Sequence, residues 1–464
     1  MCGIIGIENN NKASVLVAAG LLTLQHRGEE SAGITVNNGQ KNTMKTFTAM
    51  GLVSRIFSEE ILCSALPGKA AIGHVRYTTS DKSSLINAQP FQINCIHGDI
   101  AVAHNGNITN FLEIRKKLLN KGAIFNHTSD TEILLHLIAM TKGNLKTIIS
   151  KSVRKLHGAF SLVILKNNIL IGVKDLNGFR PLVLGKIAKS FILASETSAI
   201  EVLGGKYIRD IAPGEIIIIK DGHIMDSFIY AKSKKQNACI FEQVYFSRPD
   251  SIMFGQTIKE ARVKMGTYLA KQMKNIQADI VMPVPDTGYF AALGFARESK
   301  ILFENGFIRN HYVGRSFIKP SQHLRSMTAR LKLRPIKEVV SGKDIVLIDD
   351  SIVRGTTSKI LIRILKDSGA HNIHFALSCP PIISSCYYGI DTPQKQHLIA
   401  AMYSIKEIQQ YLNVTSLTFL SLDNLINACS LKTNNKQTFC SACFTGIYPT
   451  KFEKDIIVLK EQVK

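Results

Sequence analysis

Met1-Cys2-Gly3 puts a thiol one residue from the start of the sequence. A small side chain at the second position permits removal of the initiator methionine, which makes Cys2 the first residue and frees its amine. An α-amino group titrates near ~7.7–8.0, so it can serve as general base for a thiol on the same residue. Nucleophile and base then share one residue. In the second half, the apolar run Ile345 to Ile348 leads into Asp349-Asp350-Ser351-Ile352-Val353-Arg354-Gly355-Thr356-Thr357-Ser358 and an apolar-periodic helix. Backbone N–H groups at that helix start, with the hydroxyls of Thr356, Thr357 and Ser358, suit a phosphate monoester. The paired carboxylates at the strand end suit ribose hydroxyls and a hydrated Mg²⁺.

Cys2 alone proves little, because second positions are loosely constrained, but it has company. Cys2-Gly3-Ile4-Ile5-Gly6-Ile7 is followed by Leu24-Gln25-His26-Arg27-Gly28, Gly73-His74-Val75-Arg76-Tyr77, Ala103-His104-Asn105-Gly106-Asn107, Ser129-Asp130-Thr131-Glu132 and Asp175-Leu176-Asn177-Gly178-Phe179-Arg180-Pro181-Leu182. This series resembles class II glutamine amidotransferases, N-terminal-nucleophile hydrolases with an αββα sandwich. The resemblance implies that Cys2 attacks the glutamine amide and that the Asn105 side-chain amide and the Gly106 N–H stabilise the oxyanion. It also implies that Arg76 binds the α-carboxylate through its planar fork and that Asp130 binds the α-ammonium. Each of the latter two, read alone, is equally an ordinary ion-pair residue. Glu29 stands where relatives usually carry Gln, and Asp81 where a Gly is usual.

The string Asp349 to Ser358 resembles the phosphoribosyl pyrophosphate (PRPP) signature of type I phosphoribosyltransferases. Val281 to Gly288 resembles their pyrophosphate-side loop, which implies Thr287 near the Mg²⁺. Arg309 to Lys337 holds eight Lys or Arg and no acid. It reads as a solvated basic face or as a cover whose Arg315, Lys319 and Arg325 meet a charged leaving group. In this order the two halves, with Tyr245-Phe246-Ser247-Arg248-Pro249-Asp250-Ser251, resemble the glutamine PRPP amidotransferase family. The resemblance implies glutamine hydrolysis through a Cys2 thioester and internal passage of ammonia, which displaces pyrophosphate from PRPP to give 5-phosphoribosylamine. That reaction is the first committed step of purine synthesis. The resemblance further implies a homo-oligomer inhibited by purine nucleotides. A sugar-phosphate or aspartate amidating enzyme would lack the Asp349 to Ser358 string, and a non-catalytic PRPP-binding regulator would not need Cys2 and Asn105.

Cys440-Ser441-Ala442-Cys443 follows Cys239 and Cys386 at long range. Spacing leaves zinc, a redox pair, coincidence and an iron–sulfur cluster open. The flanking residues resemble the subset of these amidotransferases whose four cysteines hold a structural 4Fe-4S cluster. Cys63, Cys95, Cys379 and Cys429 fall outside that set.

The elements that position these residues fall into two rhythms. Residues 2–230 alternate short strands and helices in an α+β pattern, with a hairpin at Lys166-Asn167-Asn168, strands at Phe191 to Ala194 and Glu215 to Ile219, and helices at Ala13 to Gln25 and Asp130 to Thr141. Thr128-Ser129-Asp130 is the expected cap of the last. Residues 231–277 connect, Ala231 to Asn237 being the linker candidate, and 278–464 follow an α/β rhythm that ends in the cysteine-bearing segment. There the strand Ile280 to Met282 precedes a helix from Tyr289 to Ser299, and Ile345 to Ile348 precedes one ending at Ser368 before Gly369. The expected fold is therefore an α+β N-terminal-nucleophile sandwich followed by an α/β type I phosphoribosyltransferase domain.

Composition agrees. The 464 residues are 45% hydrophobic, long enough for two or three domains and far from the signature of disorder. With 57 Lys and Arg against 35 Asp and Glu the net charge is +22, and the surplus leans to the second half. Aromatic residues are 7% with no Trp, and no nucleic-acid-binding motif stands out, so no nucleic-acid partner is expected. No apolar run reaches the ~18 residues that span a bilayer. Ala13 to Leu24 mimics a signal-peptide core, but Glu8 precedes it and no small-residue cleavage site follows. Nine dilute cysteines point to a reducing compartment, and the expected location is cytoplasmic.

Overall fold

The computed structural model describes residues 1–37, 43–77, 84–232, 235–310, 333–430 and 438–452. Two antiparallel sheets account for the strands between Gly3 and Ile229. The first has seven strands in the spatial order Lys206–Asp210, Val183–Ile187, Ser190–Ala194, Gly3–Ile7, Ala70–Arg76, Ser31–Asn37, Met44–Met50. The second has six, in the order His223–Ile229, Glu215–Lys220, Ile169–Lys174, Gly158–Lys166, Gly98–Ile108, Phe91–Cys95.

Strand periodicity sorts their side chains into layers. Ile4, Ile72, Val163, Leu165, Ile217 and Ile219 meet in a dry core between the sheets. Their neighbours Ile5, Ile7, Ala71 and Val75 face the helix Ala13–Thr23. On the far side, Leu162, Ile164, Ile216 and Ile218 face the helices Phe111–Leu119, Glu132–Met140 and Leu145–Val153. The result is the expected αββα sandwich.

The second half is a five-stranded parallel sheet in the order Leu302–Phe303, Ile280–Pro283, Ile345–Asp349, Ile373–Leu377, Ser416–Phe419. Both faces are covered, one by the core around Val281, Val346, Ile348 and Ala376, the other by that around Ile280, Met282, Leu347 and Phe375. This is the burial that parallel strands require.

Most expected elements are present. Gly158–Lys166 and Ile169–Lys174 form the hairpin, with Lys166 opposite Ile169 and Asn167 at φ +52°. The helices Tyr289–Ser299 and Thr356–Asp367 follow their strands, and Gly369 at φ +95° ends the latter. Two expectations change. The first helix ends at Thr23 and a separate 3₁₀ turn, Gln25–Arg27, follows it. Thr128-Ser129-Asp130 does not cap the helix Glu132–Met140, whose N-cap Thr131 makes no capping bond; Asp130 instead accepts the Ile108 N–H at 2.7 Å.

The connecting segment is packed rather than slack. Ala238–Cys239 pairs in parallel with Phe439–Cys440, and the helix Ile258–Gln272 lies against Tyr289–Ser299. Of the linker candidate, Ser233 and Lys234 lie outside the described residues.

Candidate active site

Gly3 lies opposite Val75 in the first sheet, so Cys2 and Arg76 stand together at one end of adjacent strands. Asn105 arrives from the second sheet, where it faces Ser161. Its Oδ1 accepts the Cys2 N–H at 3.2 Å. The Asn105 Nδ2 is buried with no hydrogen-bond partner, and so is Nη1 of Arg76. Buried donors are rarely left unpaired. Two of them beside a thiol form a place for an acceptor, such as an oxygen gaining negative charge or a carboxylate.

Arg76 Nε lies 3.7 Å from Glu30, and Glu29 is half-buried next to it in sequence. Asp130 is close to His104, with Oδ1 and Nδ1 at 3.7 Å. Asp81 lies outside the described residues.

Met1 is present and buried, its sulfur against Arg180 Nη1 at 2.6 Å. Burial, with Arg180 and Arg27 nearby, pushes its amine down to about 5. While Met1 is attached the Cys2 nitrogen is an amide and no base.

A buried charge network underlies the nucleophile. Arg27 Nε donates to the Cys2 carbonyl at 3.1 Å, Nη1 pairs with Glu196 at 2.5 Å, and Nη2 pairs with Glu242 at 2.9 Å. Arg180 Nη1 reaches the same Glu242 at 3.3 Å, and its Nε and Nη2 donate to the Tyr388 carbonyl at 3.0 and 2.6 Å. Burial alone would raise the Glu196 carboxyl, but His26 and Arg27 outweigh it and hold the group well below the usual range. Sequence reasoning passed over these four residues. Arg27 and Arg180 lie within the motifs that carry the resemblance, but nothing in their local sequence marks them as partners of Glu196 and Glu242.

In the second half, Asp349 ends its strand and Asp350 follows, both with carboxyls pushed up, first by burial. The mutual proximity of the pair adds to the rise at Asp349. Thr287, in the loop between Ile280–Pro283 and Tyr289–Ser299, donates through Oγ1 to Asp350 Oδ2, and Ser351 Oγ donates to Oδ1. The sequence-predicted Thr287 and acidic pair are therefore in one place. Gly355, at φ +77°, forms the N-cap of Thr356–Asp367 and offers no side-chain cap. No side-chain cap occupies the first-turn N–H groups, which lie beside the exposed Thr356 and Thr357 and the buried Ser358, an arrangement suited to an anion. Arg354 is exposed at the edge of a cavity of about 500 Å³. Arg309 pairs with Asp286 of the pyrophosphate-side loop. Arg315, Lys319 and Arg325 lie outside the described residues.

The four cysteines converge from three parts of the chain. Cys239 and Cys440 are register partners. The Cys443 carbonyl accepts the N–H groups of Ile383 and Ser384 at 2.9 and 3.1 Å, and Cys386 Sγ accepts that of Tyr388 at 3.3 Å. Burial, then the proximity of Cys239, Cys386 and Cys440, pushes the Cys443 thiol well up. Among the described residues, no group of three or more His, Cys, Asp or Glu is gathered tightly enough to hold a metal ion. Cys63 is exposed and Cys95 half-exposed, while Cys379 and Cys429 are buried.

Comparison with known proteins agrees with this geometry. A glutamine amidotransferase domain model matches residues 74–202. Amidophosphoribosyltransferase 2, chloroplastic, of Arabidopsis thaliana is 44% identical over 98% of this chain and 80% of its own length. The Bacillus subtilis amidophosphoribosyltransferase is 41% identical over 100% of this chain and 97% of its own length. The solved structure of glutamine PRPP amidotransferase from B. subtilis complexed with ADP and GMP superposes with a TM-score of 0.91, at 40% identity and 98% coverage of both chains. The chain belongs to the amidophosphoribosyltransferase family: it is a glycosyltransferase with a glutamine amidotransferase domain, and it carries out glutamine-dependent amidotransfer to PRPP in purine biosynthesis.

Proposed function

We propose that Cys2, once Met1 is removed, is the nucleophile of this reaction and that its own amine is the base. The thiolate attacks the side-chain amide of glutamine, and the oxyanion is met by Asn105 Nδ2 and the Gly106 N–H. Ammonia leaves with a proton from the Cys2 ammonium, and water releases glutamate from the thioester. Arg76 and Asp130 hold the two charged ends of glutamine. The observation that carries the reading is the buried, unpartnered Asn105 Nδ2 on the same side chain whose Oδ1 accepts the Cys2 N–H.

The ammonia then attacks C1 of PRPP and displaces pyrophosphate. A dry internal route keeps its lone pair free, since in bulk water at neutral pH it is mostly protonated. Ser351, Arg354, Gly355, Thr356, Thr357 and Ser358 cradle the 5-phosphate and ribose. Two adjacent carboxylates, Asp350 buried and Asp349 half-buried, with a threonine hydroxyl are a donor set suited to Mg²⁺, so Asp349, Asp350 and Thr287 would hold it. When bound, Mg²⁺ neutralises charge on the leaving pyrophosphate.

Cys239, Cys386, Cys440 and Cys443 would hold a structural 4Fe-4S cluster. Four thiols sharing one buried region with the cationic Arg180 suit an anionic cluster, and the convergence of distant segments on them supports a tethering role.

The domains proposed are 2–230, 231–277 and 278–464. A homo-oligomer is supported by the exposed apolar group Met402, Tyr403 and Ile405. Control by purine nucleotides is supported by the ADP and GMP held by the Bacillus structure. The location proposed is cytoplasmic; no helix among the described residues is long and apolar enough to cross a membrane.

The test is a paired assay of glutamate and pyrophosphate release with glutamine, PRPP and Mg²⁺. Cys2→Ala is expected to lose glutamine-dependent turnover and to keep turnover with high external ammonia. Loss of neither, or a working enzyme whose mass includes Met1, would overturn the assignment.

A further inference from the structure

Three consecutive residues of the second half press on the first. The Tyr387 carbonyl accepts Asn107 Nδ2 at 2.8 Å. The Tyr388 carbonyl takes two bonds from Arg180, while its ring stacks on Phe179 with centroids 4.1 Å apart. Gly389, at φ +103°, lies so near Gly106 that a Cβ there would stand 2.7 Å from the Gly106 oxygen and 2.8 Å from its carbonyl carbon. Gly106 is confined on its other side too, since a Cβ on it would meet the Ala159 oxygen at 2.0 Å. The strand segment Asn105-Gly106-Asn107 is therefore gripped between its sheet neighbour and a loop some 280 positions away in sequence.

We propose that the loop Cys386 to Gly389 is a positioning element of the glutaminase. In this role Gly389 and the Tyr387 carbonyl hold Gly106 and Asn107 where the oxyanion donors must be, and the half that binds PRPP helps set the rate of amide hydrolysis. The proposal rests on the reading of Asn105 and Gly106 as oxyanion donors. Such donors act because they are fixed before charge develops, and a displacement of well under an ångström weakens a hydrogen bond to a transition state without altering how the ground-state substrate is held. The loop's bonds to the first half described above go to Asn107 and Arg180, which are not the residues proposed to hold the carboxylate and ammonium of glutamine, so its effect belongs in kcat. It also begins at Cys386, whose sulfur accepts the Tyr388 N–H, so whatever fixes that sulfur also fixes the next three residues.

The test uses the full-length enzyme and two variants. Gly389→Ala drives a methyl into the Gly106 backbone; Asn107→Ala removes the tether to Tyr387 and adds no bulk. Each is assayed with glutamine and with external ammonia, alongside iron content and thermal unfolding. The expected result is a fall in glutamine-dependent kcat on the order of 10-fold at a steady KM for glutamine. Ammonia-dependent turnover and iron content should be retained. If Gly389→Ala does not fold, Asn107→Ala decides. An unchanged glutamine kcat in Asn107→Ala, or a loss shared equally by both nitrogen sources, overturns the proposal. Asn105→Ala separates the two levels. If it is crippled while Asn107→Ala is normal, only the loop's role fails; if Asn105→Ala is itself normal, the oxyanion assignment fails first.

Discussion

Arg27 Nε donates to the carbonyl oxygen of Cys2 at 3.1 Å, so the peptide of the proposed nucleophile hangs from a side chain whose other nitrogens are committed to Glu196 and Glu242. All three of these charged side chains are fully buried. Removing one partner from such a set strands the others, at a cost of about 3–5 kcal/mol. Arg27→Ala is therefore expected to lower unfolding stability by that order. The Glu196 carboxyl is held below its unfolded value, so its contribution is present above the ordinary carboxylate range and lost as pH falls toward the folded pKa. Acid unfolding of Arg27→Ala should accordingly begin at higher pH than in the parent, and coincident acid titrations would contradict the network.

Asn105→Ala removes a buried donor that has no other partner. Loss of one oxyanion donor typically lowers kcat by about 10²–10³-fold. Steady-state glutamine hydrolysis should show a fall of that size with KM little changed. A rise in KM at constant kcat would mean instead that Asn105 only binds the ground state.

Asp349 and Asp350 predict a pH-dependent gain from neutralisation. Burial and then Asp350 raise the Asp349 carboxyl well above its unfolded value, so the native state binds the extra proton. Stability falls as pH rises from the ordinary aspartate range through the folded pKa. In metal-free buffer, Asp349→Asn should therefore melt above the parent by a margin that widens as pH rises above the ordinary aspartate range. Saturating Mg²⁺ should narrow the margin, because the cation gives the parent's carboxylates a partner. PRPP-dependent turnover should be lost throughout. A margin independent of both pH and Mg²⁺ would count against the proposed cation site.

Cys443→Ser tests the thiol site. The parent, purified without oxygen, should show brown absorbance with iron and sulfide in proportion, and the variant should lose all three together with thermal stability. A colourless, iron-free parent that is fully stable would refute the cluster.

Much of this was legible in the sequence where the governing forces are local. The helix Tyr289–Ser299 and the strand at Ile345–Asp349 were readable because an apolar run, a turn of small residues and a helical period follow one another there. The cap at Ser129 and Asp130 was misread because the Ile108 N–H, from a neighbouring strand, outbids the local helix terminus for Asp130. The charge network was invisible for a related reason. Arg180 and Arg27 lie 62 and 215 positions from Glu242, and no local period announces such a pairing. Thr287 and the acidic pair were recovered despite similar distance because the motifs carrying them were read together.

Arg27 and Arg180 belong to the first 230 residues, yet both lean on acceptors supplied by residues 242 and 388. An engineer who excised the amino-terminal sandwich to graft it onto another synthase would strip Arg180 of both Glu242 and the Tyr388 carbonyl, while Arg27 would lose Glu242 and keep Glu196. Replacing Arg180 with a neutral, shape-matched side chain, or carrying residues 238–247 and 386–389 along in the transplant, would be the first requirement of any such chimera.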